Sequence, residues 1–358
     1  MREGDTVARL GGDEFGLLLE NCPLERGIRI AEEIREAVAN FRFVWEEKIF
    51  EIGISIGMVA LGRESGDMTD VLSKADTACF VAKDKGRNRV HVYREDEKGL
   101  SHQHREMHWA HEIQRAFQED LFCLYTQTIG ELQPNEGITE HHREVLIRLD
   151  NGSELIPPMA FIPAAERYNL MPKIDRWVIR KTLEKLETLH GEDAPQCMFS
   201  INLSGSSIAD VDFRSFLLEA LDNSVVPAHH ICFEITETAA ISNLNNALKL
   251  IEKATERGCK FALDDFGCGL SSFYYLKHLP IHYLKIDGGF IREIHKDRST
   301  LAMVEAINNV GHVMGLKTIA EFVENEAILA KVREIGVDFA QGHFVGVPTP
   351  WVCRRSHA

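Results

Sequence analysis

The side chains able to do chemistry in this sequence are widely spaced acids and amides: Glu144, Asn202, Glu234, Asp264, Asp265, Glu321 and Gln341, with Lys285 among them. Carboxylate and amide oxygens without histidine or cysteine favour hard cations, Mg2+ or Mn2+, over zinc. Carboxylates gathered at one point would repel one another strongly unless cations shared them, so two ions fit better than one. Two metals imply chemistry on a phosphate ester. Taken singly, each acid reads equally well as a helix N-cap or a solvated loop residue. Taken together, they ask for a common site.

What must gather them is a repeating pattern. Short β-branched or apolar runs alternate with helical stretches, at 122–128, 144–149, 198–203, 231–235, 261–263, 283–286, 317–320 and 338–341. This rhythm predicts an α/β fold of the (β/α)8, TIM-barrel type, whose chemistry lies at the C-terminal mouth of the strands. Glu144 lies on the second run, and Asn202, Glu234, the Asp264-Asp265 pair, Lys285, Glu321 and Gln341 close the next six. The first two runs are joined by Gln133-Pro134-Asn135-Glu136-Gly137, too broken for a crossover helix. One antiparallel pair, and so an irregular barrel, is expected. Gly267 and Gly269 serve either as turn glycines or as points of close approach to a ligand.

Ahead of the barrel, helices over 29–39 and 68–83 and strands over 52–60 and 89–93 predict a smaller α/β unit. A polar stretch poor in aliphatic residues separates the two, which places the domains at 1–94 and 112–358 with a helical linker over 95–111. The histidines of that linker, His102, His104, His108 and His111, read as a solvated connector rather than a metal site.

Composition narrows the function. At 358 residues, with 44% hydrophobic and 27% charged, the chain can bury more than one small core. A net charge of −15 argues against a nucleic-acid polymer as partner. No apolar run approaches the roughly 20 residues of a membrane helix. Eight cysteines without a CxxC pair, and charged residues directly after Met1, fit a cytoplasmic location.

At these residues a resemblance emerges. The region from Trp109 to Pro350 resembles the EAL family of cyclic di-GMP phosphodiesterases, through Glu144-Val145-Leu146-Ile147-Arg148, Asn202-Leu203-Ser204, Glu234-Ile235-Thr236-Glu237, Asp264-Asp265-Phe266-Gly267, Leu284-Lys285-Ile286-Asp287, Ala320-Glu321 and Gln341-Gly342. The resemblance implies metal-dependent hydrolysis of cyclic di-GMP to linear pGpG. Glu144, Asn202, Glu234 and Asp264 would hold one ion, and Asp264, Asp265 and Glu321 the second. Lys285 and Gln341 would position the attacking water, while Arg148, Gln127 and Leu146 would meet the substrate. Glu237 would support the loop after Asp265, and a homodimer through the barrel is implied. A barrel that binds the nucleotide without cutting it is the alternative. Val145, Phe322 and Thr128 depart from the family pattern, Phe322 standing where a glycine is usual.

The first domain carries Gly11-Gly12-Asp13-Glu14-Phe15 and Ala82-Lys83-Asp84-Lys85-Gly86-Arg87-Asn88, which resemble GGDEF diguanylate cyclases. The segment that precedes Gly11 in that family is missing from this sequence. The expectation is therefore a truncated remnant, inactive as a cyclase and regulatory in role, with Asp13 and Glu14 vestigial. Arg2 and Asp5 resemble its RxxD inhibitory site, in which an arginine pairs with phosphate or a guanine edge.

Overall fold

The computed structural model describes residues 4–351 apart from 12–13, 46–47, 63–64, 66, 95–96, 133–137, 153, 189–196 and 268–272. The chain divides into two units, Met1–Trp109 and Ala110–Ala358. A single helix, Glu97–Gln118, contains the border between them.

In the first unit a hairpin, Thr6–Gly11 with Glu14–Leu18, precedes the helices Leu24–Ala39 and Met68–Asp84. The strand expected over 52–60 is shorter, Ile56–Met58. Its parallel partner is only Val90–Val92, so the ladder has nothing to pair with beyond three residues. A Cβ on Gly57 would lie 2.2 Å from the Ala75 carbonyl oxygen, which is why this strand can lie directly against its helix.

The second unit is the expected irregular barrel. Its strands are β1 (Phe122–Leu132), β2 (Ile138–Asp150), β3 (Met198–Leu203), β4 (Ile231–Thr236), β5 (Lys260–Phe266), β6 (Tyr283–Ile286), β7 (Lys317–Ala320) and β8 (Phe339–Gln341). From β2 to β8 each consecutive pair is parallel, while β1 runs antiparallel to both β2 and β8 and closes the sheet. β1 and β2 are longer than expected because they pair with each other along nearly their whole length.

Strand alternation sets two populations of side chains. On β2, Val145 and Leu149 are buried on the face opposite Glu144. Two residues before the polar residues at the strand ends lies the floor beneath them. There, Ile319 and Phe339 form an apolar cluster with Ile129 of the antiparallel β1, Tyr283 packing against it, and His142 bonds Ser200 at 2.6 Å.

Side chains of Ser204, Thr236 and Asp287 cap the helices that follow β3, β4 and β6. Each stands two residues after Asn202, Glu234 and Lys285 respectively. The helix-capping alternative for those polar residues is thereby removed, since other residues do the capping and leave them free to face the mouth.

Candidate active site

Lys285 is the centre of the mouth. Its side chain is 1% exposed, and its ammonium lies 2.6 Å from Glu234, 2.8 Å from Glu321 and 3.2 Å from Asp264. Burial disfavours the charged lysine, yet the surrounding carboxylates of Asp264, Glu234 and Glu321 overcome it and hold its pKa well above the ordinary value. Burial likewise pushes the carboxyls of Glu234 and Glu321 upward, against the pull of Lys285. One ammonium cannot neutralise this many acids. Further positive charge is what would let all of them ionise together.

On one side, Asp264, Asp265 and Glu321 present oxygens that all lie within 4.8 Å of one another. Asp265 holds a left-handed backbone, φ 55°, and its N–H donates to Asp264 Oδ1 at 3.0 Å. Burial and the adjacent Asp264 raise its carboxyl pKa. On the other side, Glu144 accepts from Asn202 Nδ2 at 2.6 Å and from Gln341 Nε2 at 2.5 Å. Gln341 Nε2 also approaches Gln127 Oε1 at 3.3 Å, and Gln127 Nε2 donates to the Gly346 carbonyl at 2.9 Å. This hydrogen-bonded chain joins residues 197 positions apart at the Glu144–Gln341 link.

Two buried acceptors in this cluster, Glu234 Oε1 and Gln341 Oε1, have no hydrogen-bond partner. Unpartnered buried oxygens require an explanation. A donor set made only of oxygens, with acceptors to spare and an excess of negative charge, fits hard divalent cations.

Arg148 donates to the Ile147 carbonyl at 2.8 Å and lies 5.5 Å from the centre of the Tyr125 ring, and burial lowers its pKa. Leu146 is half-buried two residues before it. Gln127, opposite Glu144 in the β1–β2 register, sits behind Gln341. Glu237 accepts from Gly267 N at 3.1 Å and from the Tyr275 hydroxyl at 2.5 Å. It thereby fixes the backbone just after Asp265.

Phe322 has φ 50°, the conformation that makes glycine ordinary here. Its ring lies over Gly288, where an added Cβ would sit 2.0 Å from the ring, and the Arg292 guanidinium is 4.2 Å from its centre. The bulk is directed onto the helix Gly288–Glu293, and Glu321 keeps its contact with Lys285.

In the first unit Glu14 is exposed at the start of its strand. Gly12, Asp13 and Arg2 lie outside the described residues, as do the 133–137 turn and Gly269. His108 packs against Phe80 and Trp109, and His111 is largely exposed.

Sequence reasoning missed Asp175, His142 and the Tyr275 hydroxyl. Asp175 had a visible signal. It occupies a core position in the stripe Met171, Ile174, Val178, Ile179, Thr182, Leu183 and Leu186 of the helix Met171–Glu187, where an acid needs a partner.

A βα barrel with an acidic, oxygen-lined mouth built around a buried lysine is the architecture the comparisons with known proteins bear on. Residues 110–348 match the EAL domain and residues 1–89 the diguanylate cyclase GGDEF domain. The chain belongs to the EAL domain family. It is 37% identical, over 97% of its length and 40% of the relative's, to the cyclic di-GMP phosphodiesterase PdeB of Shewanella oneidensis. It is 30% identical, over 98% of its length and 50% of the relative's, to the bifunctional diguanylate cyclase/cyclic di-GMP phosphodiesterase MucR of Pseudomonas aeruginosa. The chain thus spans half or less of these relatives. Among solved structures, a MucR phosphodiesterase in complex with c-di-GMP aligns with TM-score 0.63 and 31% identity, covering 68% of this chain and 98% of that one. The FimX EAL domain from Pseudomonas aeruginosa bound to c-di-GMP aligns with TM-score 0.61 and 28% identity, covering 67% and 96%.

Proposed function

We propose that the barrel hydrolyses cyclic di-GMP to linear pGpG with the help of two Mg2+ or Mn2+ ions. The observation that carries this reading is the cluster around Lys285: an excess of buried carboxylates, with Glu234 Oε1 and Gln341 Oε1 unpartnered and turned to no protein donor. Glu144, Asn202, Glu234 and Asp264 would hold one ion and Asp264, Asp265 and Glu321 the other. Bound there, the ions would acidify water and stabilise charge developing on the phosphate.

The chain's own residues do the rest. Gln341, its amide N–H committed to Glu144, offers Oε1 as an acceptor that orients the attacking water. Lys285 tempers the negative field so that a phosphate diester can approach. Arg148 contacts a phosphate oxygen with its guanidinium, and Leu146 lines the substrate's path. Gln127 acts from behind by fixing the Gln341 amide. The GGDEF-matching unit is assigned a regulatory role. In support, Glu14 lies on a hairpin that, among the described residues, pairs with no other strand of that unit. The reading extends to a barrel-mediated homodimer, which rests on the family resemblance alone, and to a cytoplasmic setting. Cys22, Cys79, Cys123, Cys197, Cys232 and Cys259 are free thiols, in keeping with the latter. Among the described residues no helix is long and apolar enough to cross a membrane.

The test is incubation with cyclic di-GMP and Mg2+ or Mn2+, with chromatographic separation of the nucleotides and a parallel binding titration in Ca2+. Metal-dependent appearance of pGpG is expected. Tight binding without turnover would make the barrel a receptor, and the absence of both binding and turnover would refute the assignment altogether.

A further inference from the structure

We propose that Asp175 is a positioning residue for Asn202, holding the β3 end of the metal site as Glu237 holds the β5 end. The inference rests on the proposed role of Asn202 as a cation ligand. Asp175 is 4% exposed, on the helix Met171–Glu187, and among the described residues its hydrogen-bond partners are Ser204 and Ser207, neither of them a proposed cation ligand. Its Oδ2 accepts from Ser204 N at 2.9 Å, Ser204 Oγ at 2.7 Å and Ser207 Oγ at 2.6 Å. Ser204 is the cap of the short helix Gly205–Ala209 and stands two residues after Asn202.

The parallel with Glu237 is geometric. Each is a buried carboxylate outside the ligand set, and each accepts a backbone N–H just past a ligand: Ser204 N two residues after Asn202, Gly267 N two residues after Asp265. Each also takes hydroxyl donors, two serines in one case and Tyr275 in the other. The two corners meet. A Cβ on Gly205 would lie 3.3 Å from the Ala239 Cβ, so the turn held by Asp175 rests on the helix Glu237–Ser242, which follows the ligand strand β4.

A carboxylate that fixes a ligand's backbone from behind sets the ligand's reach. Removing such a supporting partner weakens metal affinity by roughly 10–100-fold. Asp175→Ala leaves two hydroxyls and an N–H without their acceptor and is expected to weaken Mn2+ binding by about tenfold or more. Asp175→Asn keeps a carbonyl oxygen in place and is expected to restore most of that affinity. The Ser204→Ala/Ser207→Ala double variant keeps only the backbone donor and is expected to fall between.

The experiment is calorimetric titration of Mn2+ into the full chain and these variants, alongside their melting temperatures and the Mn2+ dependence of cyclic di-GMP turnover. Weakened Mn2+ binding in Asp175→Ala with recovery in Asp175→Asn supports the assignment. Unchanged Mn2+ affinity in a folded Asp175→Ala, or lost stability with affinity intact, overturns it. If Asp175→Ala does not fold, the serine double variant decides on the same criterion. Wild type that binds Mn2+ but leaves cyclic di-GMP intact would sink the substrate reading alone, whereas wild type that binds no Mn2+ would sink both.

Discussion

Replacing Lys285 with methionine removes one charge and little volume from a buried polar cluster in the barrel. The ammonium makes contacts of 2.6, 2.8 and 3.2 Å with three carboxylates. At an effective dielectric near 20, each such contact is a gross attraction of about 5–6 kcal/mol. Most of that is offset by the desolvation of the charges, and removing one member of a buried ion cluster costs about 3–5 kcal/mol net. In a unit of this size 1 kcal/mol shifts the melting temperature by about 2–4 °C. Lys285→Met is therefore expected to melt about 6–20 °C below wild type in EDTA. The assay is scanning calorimetry at neutral pH, repeated with Mn2+, which should narrow the gap by supplying the missing positive charge. An unchanged or higher melting temperature in EDTA would show that the carboxylates are already neutral, and the electrostatic case for cations here would fail.

Glu144→Ala strands the amides of Asn202 and Gln341 and is expected to abolish pGpG formation while the circular dichroism spectrum stays native. Glu321→Gln should lower turnover by about 100-fold or more while leaving the fold intact, measured by the same chromatography. Gly288→Ala would drive a methyl into the Phe322 ring and is expected to disturb the neighbouring Glu321 and reduce turnover, whereas adding Phe322→Gly, which also suits φ 50°, should restore it. Asp175 is raised to about 6 by burial, with its serine hydrogen bonds opposing. A raised carboxyl stabilises the fold below its unfolded pKa near 4 and loses that contribution as pH climbs through about 6. Wild type should thus lose about 2 kcal/mol relative to Asp175→Asn between pH 4 and 7, read by urea unfolding.

Much of the barrel was legible because its strands are short apolar runs ending in a polar residue, and β3, β6 and β7 have the bounds read from sequence. The antiparallel β1–β2 pair followed from a turn too broken to cross over. The full length of those two strands did not, since it depends on mutual pairing rather than on apolar content. The strand over 52–60 shrank for the converse reason, a partner three residues long. At the site, residue types gave the chemistry, but the direction of a side chain is decided by tertiary contacts. Phe322 turning onto Gly288, and Gln127 lying behind Gln341, are of that kind. Asp175 stood out as an acid at a core position, but its role was hidden because its partners, Ser204 and Ser207, lie about thirty positions away and belong to another element.

The closure of the barrel has a consequence for the newborn chain. Gln341 lies on the last barrel strand, and its place is defined only when β8 lies between β7 and β1, the first strand of the barrel to be made. A ribosome releasing this chain exposes Glu144, Asn202 and Glu234 well before the strand that completes their surroundings. Until then Glu144 lacks one of its two amide donors, and Gln127 has no Gln341 to hold. The site proposed for the barrel is therefore completed only once β8 has been made, and a polypeptide stalled before β8 would carry the acids without the means to use them.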